Sequence, residues 1–308
     1  MAAAAIAFPR LERPLPVDRN MFDPDILGYN ATVHRQEILW MTKVAGSGHP
    51  GGSMSAIDAL EVMYNHKLAH RPQEPTWNGR DYLIYSKGHC SPALDAELAH
   101  QGYIPYGSLP TFRTLGGLPG HADTTTPGVE FPSGSLGKGL SFANGIEHTL
   151  RDEIKNPMKR PHVIAIVGDG EMNEGQVWEA VATAAHYKLE TILWVDKNGA
   201  QNDDFTRRTK DMEPLDMKLD SFGWRTMQIN GHNYGEIKHA LDWAWVREKG
   251  PKAIVANTIK GSGVRFMQKG GAKYHGRCLD DREMEEAMIE TNIGKEKFRR
   301  RLVNKGIL

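Results

Sequence analysis

The chain has 308 residues, with 38 basic and 38 acidic side chains and a sequence pI near 7.2. This balance gives no electrostatic reason to expect binding to nucleic acid or to an acidic membrane surface, so it favours a small-molecule ligand. The cysteines Cys90 and Cys278 are too few for a disulfide framework, and no apolar run is long enough to span a bilayer. We therefore expect a soluble cytoplasmic protein.

The N-terminal third predicts a tail, two helices and one strand. Residues 1–8 are apolar but lack a basic n-region, which favours a flexible tail over residues 1–20 rather than a signal peptide. Helices are predicted over 25–43 and, after a glycine-rich loop, over 55–68. Residues 82–85 read as a first strand.

Strand and helix patterns then alternate to the end of the chain. Strands are predicted over 162–167, 191–195, 224–229 and 253–259, and helices over 140–153 and 174–186, from about 234, and over 280–302. This alternation predicts a single α/β domain over residues 21–308, with a doubly wound, mostly parallel sheet flanked by helices.

The sequence places oxygen ligands after two successive strands. Asp169 lies in the Gly168-Asp169-Gly170 turn, and Asn198 follows the next strand. Parallel strands joined through a helix end at the same sheet edge, where ligands of open α/β sheets bind. Mg²⁺ favours such oxygen ligands together with phosphates and water, and the Ala200 carbonyl is a natural third ligand. Ordinary turn chemistry is the alternative for each residue alone.

A glycine-rich loop over residues 132–139 precedes a predicted helix, so its N–H groups could receive a diphosphate. It is not a Walker A loop, because its glycine spacing differs and Gly139 stands where Ser or Thr would follow the lysine. Residues 168–173 likewise fail the dinucleotide pattern, since Asn173 replaces the last glycine. A simple turn remains the alternative for the glycine-rich loop.

Four histidines lie in glycine-rich loops: His49, His89, His121 and His275. Imidazole can move protons near neutral pH and can donate hydrogen bonds to hydroxyls or phosphates. Each could also be a polar loop residue without a function. The pair His66 and His70 could share a metal, but no third ligand is evident, and a solvated helix face is favoured.

These residues together resemble the transketolases, specifically the amino-terminal subunit of split, two-chain transketolases. The resemblance covers most of the chain. It is carried by the motifs Gly46–Gly52, Arg80-Asp81, Ser86–His89, Gly120-His121, Gly134–Gly137, Gly168–Glu171, Glu174–Ala180 and Asp196–Gln201.

The resemblance implies thiamine diphosphate as cofactor, in the diphosphate-binding type of the fold. It implies that Mg²⁺, or Ca²⁺ or Mn²⁺, is bound by Asp169, Asn198 and the Ala200 carbonyl. It further implies catalytic roles for the four loop histidines in the substrate channel. The residues implied to contact the cofactor are His89, Gly134, Ser135, Leu136, Asp169, Gly170, Glu174, Asn198 and His275.

The implied reaction transfers a two-carbon ketol unit from a ketose or ketose phosphate to an aldehyde acceptor. In this family a glutamate on a separate pyrimidine-binding domain activates the cofactor, and we expect that domain and the C-terminal domain on a partner chain. We therefore expect the partner to be a C-terminal transketolase subunit, in a heterotetramer with two copies of each chain, and little activity of this chain alone.

The chain departs from the family pattern at two places. Asn202-Asp203-Asp204 replaces the usual hydrophobic residue and Asp-Gly, and Lys138 stands where Gln is common. These departures motivate the hypothesis of an unusual sugar substrate in a specialised pathway. The alternatives are half of a 2-oxoacid dehydrogenase, which the Ser47–Gly51 loop argues against, and a cofactor-binding subunit without a catalytic role.

Overall fold

The computed structural model describes residues 7–308. Its helices in chain order are α1 Pro24–Ala45, α2 Pro50–Val62, α3 Ser91–Gln101, α4 Gly139–Glu153, α5 Gly175–Tyr187, α6 Thr206–Thr209, α7 Leu215–Ser221, α8 Tyr234–Trp245, α9 Arg265–Gly270 and α10 Asp281–Asn304. Its strands are β1 Tyr82–Tyr85, β2 Val163–Gly168, β3 Ile192–Lys197, β4 Arg225–Asn230 and β5 Lys252–Asn257.

The five strands form one parallel sheet in the order β1-β2-β3-β5-β4. Alternate side chains of its buried strands enter two different apolar cores, as the period of a strand requires. Ile164, Ile166 and Trp194 pack with α1, α2, α3 and α8 on one face. Val167 and Val195 pack with α4, α5 and α7 on the other. The predicted α/β fold with helices on both faces of a parallel sheet is therefore confirmed.

The ends of the long helices follow from local sequence. Asp23 caps α1 by accepting a hydrogen bond from the Asp25 N–H, and Gly46 ends the helix in the left-handed region with φ 62°. Asp280 and Glu283 form a reciprocal capping box at the start of α10. Helix α10 packs along α1, so the end of the described chain is joined to its first helix.

Helix α2 begins earlier than the sequence predicts. The expected start was Ser55, but the helix begins at Pro50 and includes Gly51 and Gly52. Proline suits the first helical turn because its fixed φ is helical and its missing N–H would be unpaired there. A Cβ at Gly52 would lie 2.7 Å from the Cys90 Sγ, so glycine serves here for close packing.

Two predictions concern residues outside the sheet. Residues 7–20 have no helix or strand, but the Leu15 N–H donates to the Asn30 side chain at 2.6 Å. The division of tail from domain at residue 20 stays a prediction, and residues 1–6 of that tail lie outside the described residues.

His66 and His70 are half-buried against Phe22 and Tyr103, so the predicted solvated face is wrong.

Within residues 7–308, no helix combines the length and the apolar character needed to cross a membrane.

Candidate active site

Asp169 and Asn198 lie at the same edge of the sheet, as predicted. Strand β2 ends at Gly168 opposite Asp196 in β3, so the next residues of both strands emerge side by side. The Gly199 N–H donates to the Asp169 carboxylate at 2.7 Å, which joins the two turns directly. They border a cavity of about 180 Å³ whose lining includes Gly52, Lys87, His89, Leu136, Asp169, Gly170, Asn198, Ala200, Gln201, Asn202, Asp203, Lys260 and His275.

A buried carboxylate, that of Asp169, lines the cavity. Burial and the neighbouring Asp196 carboxylate raise the pKa of Asp169 to about 6, against the hydrogen bonds from Gly199 and Gly170. A cation beside this carboxylate would favour its charged form. Carboxylate, amide and carbonyl oxygens are the ligands that hard divalent cations prefer, so these residues suit Mg²⁺.

Lys260 is a cavity residue that sequence reasoning missed. Its ammonium donates to the Ala200 carbonyl at 2.9 Å and lies 2.7 Å from the His275 Nδ1. Burial lowers the pKa of Lys260 to about 8. The Lys260 ammonium therefore contacts the same Ala200 carbonyl that is predicted to bind the metal ion. The glycines at 261 and 263, just past the end of β5, were the only sequence signal for a functional loop here.

The four predicted histidines lie together. The His49 ring centroid is 5.2 Å from that of His89, 6.0 Å from His121 and 5.3 Å from His275. Burial lowers the pKa of His49 to about 4 and that of His275 to about 3, helped by Arg113 near His49 and by Lys260 near His275. Burial also lowers the pKa of His89 and of His121. Neutral imidazoles can both donate and accept hydrogen bonds, as sugar hydroxyls require.

The glycine-rich loop is held by a buried carboxylate that sequence reasoning also missed. Glu171 accepts hydrogen bonds from the N–H groups of Gly137 at 2.8 Å and Gly168 at 3.2 Å, and from the Ser86 hydroxyl. It therefore fixes the loop against the end of β2. This role depends on a contact between distant segments, which the local sequence does not show.

Only one member of the predicted diphosphate loop lines the cavity. Leu136 does so, whereas Gly134 and Ser135 are exposed to solvent. Gly134 lies near His121, whose Cδ2 is 3.9 Å from the position of a Cβ there. Glu174 packs beside Gly137 and is itself exposed, outside the cavity lining. Cofactor contacts of these residues stay predictions.

A buried ion pair joins Lys87, which lines the cavity, to Asp196 in β3. The Lys87 ammonium contacts the Asp196 carboxylate, and their side chains are 2% and 0% exposed. Asp196 also accepts hydrogen bonds from Ser55 at 2.7 Å and from Thr258. Four segments of the chain therefore meet at one carboxylate.

Comparison with known proteins places the chain in a family. The sequence profile described as "Transketolase, thiamine diphosphate binding domain" matches residues 30–301. The chain is 37% identical over 268 residues to the 6-deoxy-6-sulfo-D-fructose transketolase subunit SqwG of Clostridium sp. (strain MSTE9), spanning 86% of this chain and 95% of that protein. It is 34% identical over 261 residues to one subunit of the apulose-4-phosphate transketolase of Actinobacillus succinogenes, covering 84% of this chain and 92% of that subunit.

Longer transketolases match over part of their length. The chain is 32% identical to the transketolase of Homo sapiens, covering 81% of this chain but 39% of that protein. The crystal structure of transketolase from Campylobacter jejuni superposes with a TM-score of 0.82 at 30% identity, covering 90% of this chain and 46% of that one. The chain therefore belongs to the transketolase family and carries its thiamine diphosphate binding domain.

Proposed function

We propose that this chain is the amino-terminal subunit of a two-chain transketolase that holds thiamine diphosphate through a divalent cation. The proposal is carried by one observation: the oxygen atoms of Asp169, Asn198 and Ala200, which can serve as metal ligands, lie together after two adjacent strands. The raised pKa of Asp169 supports a cation there, because a buried carboxylate gains most from a nearby positive charge. Mg²⁺ suits this donor set, and Ca²⁺ or Mn²⁺ could replace it.

The bound cofactor would supply a nucleophilic carbon that receives a two-carbon ketol unit and passes it to an aldehyde. The residues of this chain would bind the cofactor and the substrate and would transfer protons. His49, His89 and His275, kept neutral by burial, can exchange hydrogen bonds with substrate hydroxyls. Lys260 can place positive charge beside a diphosphate once its ammonium leaves the Ala200 carbonyl.

A partner chain is the second part of the proposal. The Clostridium and Actinobacillus relatives are both named as subunits, and this chain spans 39% of the human enzyme. Leu136 is 36% exposed and Phe142 is 42% exposed on the loop and helix beside the cavity, where apolar surface favours a docked protein. We propose that a C-terminal subunit supplies the pyrimidine-binding domain and its glutamate, in a complex with two copies of each chain.

The substrate is proposed to be an unusual sugar of a specialised pathway. Asn202 and Asp203, two of the departures from the family pattern, line the cavity. The two split relatives are named for a sulfosugar and for apulose 4-phosphate. Both cysteines are free thiols, which supports a cytoplasmic setting for this chemistry.

Calorimetric titration of the chain with thiamine diphosphate and Mg²⁺ tests the cofactor site. Asp169→Asn should weaken binding at least about 100-fold, since it removes a charged metal ligand. Asp152→Asn is the matched control, because Asp152 is 64% exposed on α4. Equal binding by wild type and Asp169→Asn would contradict the proposed site.

Activity assays with the partner chain test the reaction. The assembled pair should transfer ketol units, whereas either chain alone should be nearly inactive. A 2-oxoacid dehydrogenase half, which the comparisons do not favour, would instead oxidise pyruvate with an electron acceptor. Full activity of assembled His49→Ala, His89→Ala and Asp169→Ala variants would support a subunit without a catalytic role. Efficient turnover of xylulose 5-phosphate with ribose 5-phosphate would contradict the specialised substrate.

A further inference from the structure

A second group of chemically reactive side chains lies among helices α1, α2 and α3, outside the cavity lining. It consists of His34 on α1, Glu61 on α2, and Glu97 and His100 on α3. Each side chain offers one ligand atom, and the four atoms all lie within 4.8 Å of one another. The side chains of His34, Glu61 and Glu97 are 0% exposed and that of His100 is 11% exposed. The proposed cofactor site uses none of them.

The four facing atoms have no hydrogen-bond partners. They are the His34 Nε2, the Glu61 Oε1, the Glu97 Oε2 and the His100 Nδ1. The His34 Nε2 is 2.9 Å from the Glu61 Oε1, but the two are not aligned as a hydrogen bond. Buried polar atoms are nearly always paired, so four unpaired atoms that converge on one point call for a ligand.

The other polar atoms of three of these side chains are held in place. The His34 Nδ1 is 2.7 Å from the Glu37 carboxylate, an arrangement that directs Nε2 toward the centre. The Glu61 Oε2 accepts from Asn65 at 3.0 Å, and the Glu97 Oε1 accepts from Gln101 at 2.8 Å. Such outer contacts orient the histidine and carboxylate ligands of metal ions in proteins.

The spacing of the facing atoms suits a small tetrahedral ion. A zinc ion with ligand bonds of about 2.0–2.1 Å places its ligand atoms about 3.4 Å apart. The His34 Nε2 is 2.9 Å from the Glu61 Oε1 and 3.6 Å from the Glu97 Oε2, and the His100 Nδ1 is 3.9 Å from the Glu61 Oε1. These distances bracket the ideal value, so small side-chain rotations would complete the coordination.

We propose that His34, Glu61, Glu97 and His100 bind a structural Zn²⁺ ion that joins helices α1, α2 and α3. Two imidazoles favour zinc over Mg²⁺ or Ca²⁺, which prefer oxygen ligands. Two carboxylates balance the charge of the ion in this buried setting. Four protein ligands leave no open position, which is the pattern of a structural rather than a catalytic site.

The four ligands lie near a surface cleft. Glu37, whose carboxylate contacts His34, lines that cleft together with Tyr106. The competing arrangement is a cluster that holds protons instead of a metal ion. Burial lowers the pKa of His34, but the Glu37 and Glu61 carboxylates outweigh it and raise that pKa well above its ordinary value. Burial and the adjacent carboxylate both raise the pKa of Glu97, so a proton is the alternative to a metal ion at the same place.

Metal analysis and cobalt substitution test the proposal. The full chain, expressed in zinc-supplemented medium and dialysed, should retain about one zinc per chain by mass spectrometry. Titrating metal-free chain with Co²⁺ alone should give the strong visible absorption of tetrahedral cobalt. Zinc should raise the melting temperature by about 5 °C at a large excess over its Kd.

Substitution of single proposed ligands tests where the zinc ion binds. His100→Gln and Glu97→Gln should each weaken zinc binding at least about 100-fold, whereas the exposed His186→Gln should not. His49→Gln serves as a second control, because the cluster of His49, His89, His121 and His275 could bind zinc itself. If zinc is lost in His49→Gln and retained in His100→Gln, the proposal is wrong. Wild-type chain that binds no stoichiometric zinc, or binds cobalt without tetrahedral absorption, would refute the proposal and favour the protonated cluster. The wild-type spectrum decides the question even if a variant fails to fold.

Discussion

The buried pair of Lys87 and Asp196 allows a quantitative test of how the site is held together. In Lys87→Met the apolar stem of the side chain is kept and the ammonium is lost. Asp196, whose side chain is 0% exposed, would keep the hydroxyl donors of Ser55 and Thr258 and a long hydrogen bond of 3.5 Å from the Asn198 amide. Removing one partner of a buried ion pair costs about 3–5 kcal/mol because the other charge stays buried. We expect a loss of that size in the free energy of unfolding at pH 7.5.

The pH dependence of this loss follows from the pKa of Asp196. In the wild type, Lys87 and the hydroxyl donors outweigh burial and hold that pKa below 3.8, so the carboxylate stabilises the fold above pH 3.8. In Lys87→Met, burial dominates and raises the pKa above the unfolded value. The folded variant then takes up a proton as the pH falls, so the loss should be smaller at pH 5.5 than at pH 7.5.

Urea unfolding followed by circular dichroism at the two pH values measures both effects. Lys238→Met is the matched control, because Lys238 pairs with Asp242 where the side chains are 37% and 42% exposed. An exposed pair of this kind contributes at most about 1 kcal/mol. A loss below about 1 kcal/mol in Lys87→Met, or one that does not change with pH, would refute the reasoning.

Three further predictions concern the cavity and its loops. His275→Gln should lower kcat of the assembled enzyme by roughly 10²-fold, as expected for loss of a proton-transfer group, in steady-state assays of ketol transfer. Gly88→Ala should cost about 1–3 kcal/mol in urea unfolding, because its Cβ would lie 1.9 Å from the Ser133 Oγ. Adding Ser133→Gly should restore only part of that stability, because the backbone carbonyl carbon of residue 133 would still lie 2.9 Å from the new Cβ. Burial lowers the pKa of Lys260 to about 8 in the folded chain. Above that pH the unfolded chain binds more protons than the folded chain, so the free energy of unfolding should rise between pH 8 and 10. This rise should be missing in Lys260→Met.

The sequence predicted those site residues that neighbouring residues in the chain identify. Asp169 and Asn198 were identified because each directly follows an apolar strand, and a connecting helix fixes which edge of the sheet they share. The four histidines were identified from their glycine-rich loops, and the structure brings their rings together.

The residues that sequence reasoning missed act across long distances in the chain. Glu171 and Asp196 lie in motifs of the family resemblance, but the sequence assigns them no role, because their contacts with Gly137 and Lys87 form only on folding. The start of α2 was misplaced for a related reason. Proline and glycines indicate a loop locally, whereas at Gly51 a Cβ would lie 2.6 Å from the Tyr274 carbonyl, so the tertiary contact requires the glycine.

The packing of α10 along α1 bears on when the cavity can form during synthesis. His49, just before α2, lies with its ring centroid 5.3 Å from that of His275, which lines the cavity and precedes α10. Gln36 on α1 donates hydrogen bonds to Thr291 and Asn292 on α10, so these segments cannot meet until most of the chain has left the ribosome. Contacts of such long range form late and slowly. The packing of α1 against α10 therefore completes only near the end of synthesis, and the apolar face of α1 stays uncovered until then.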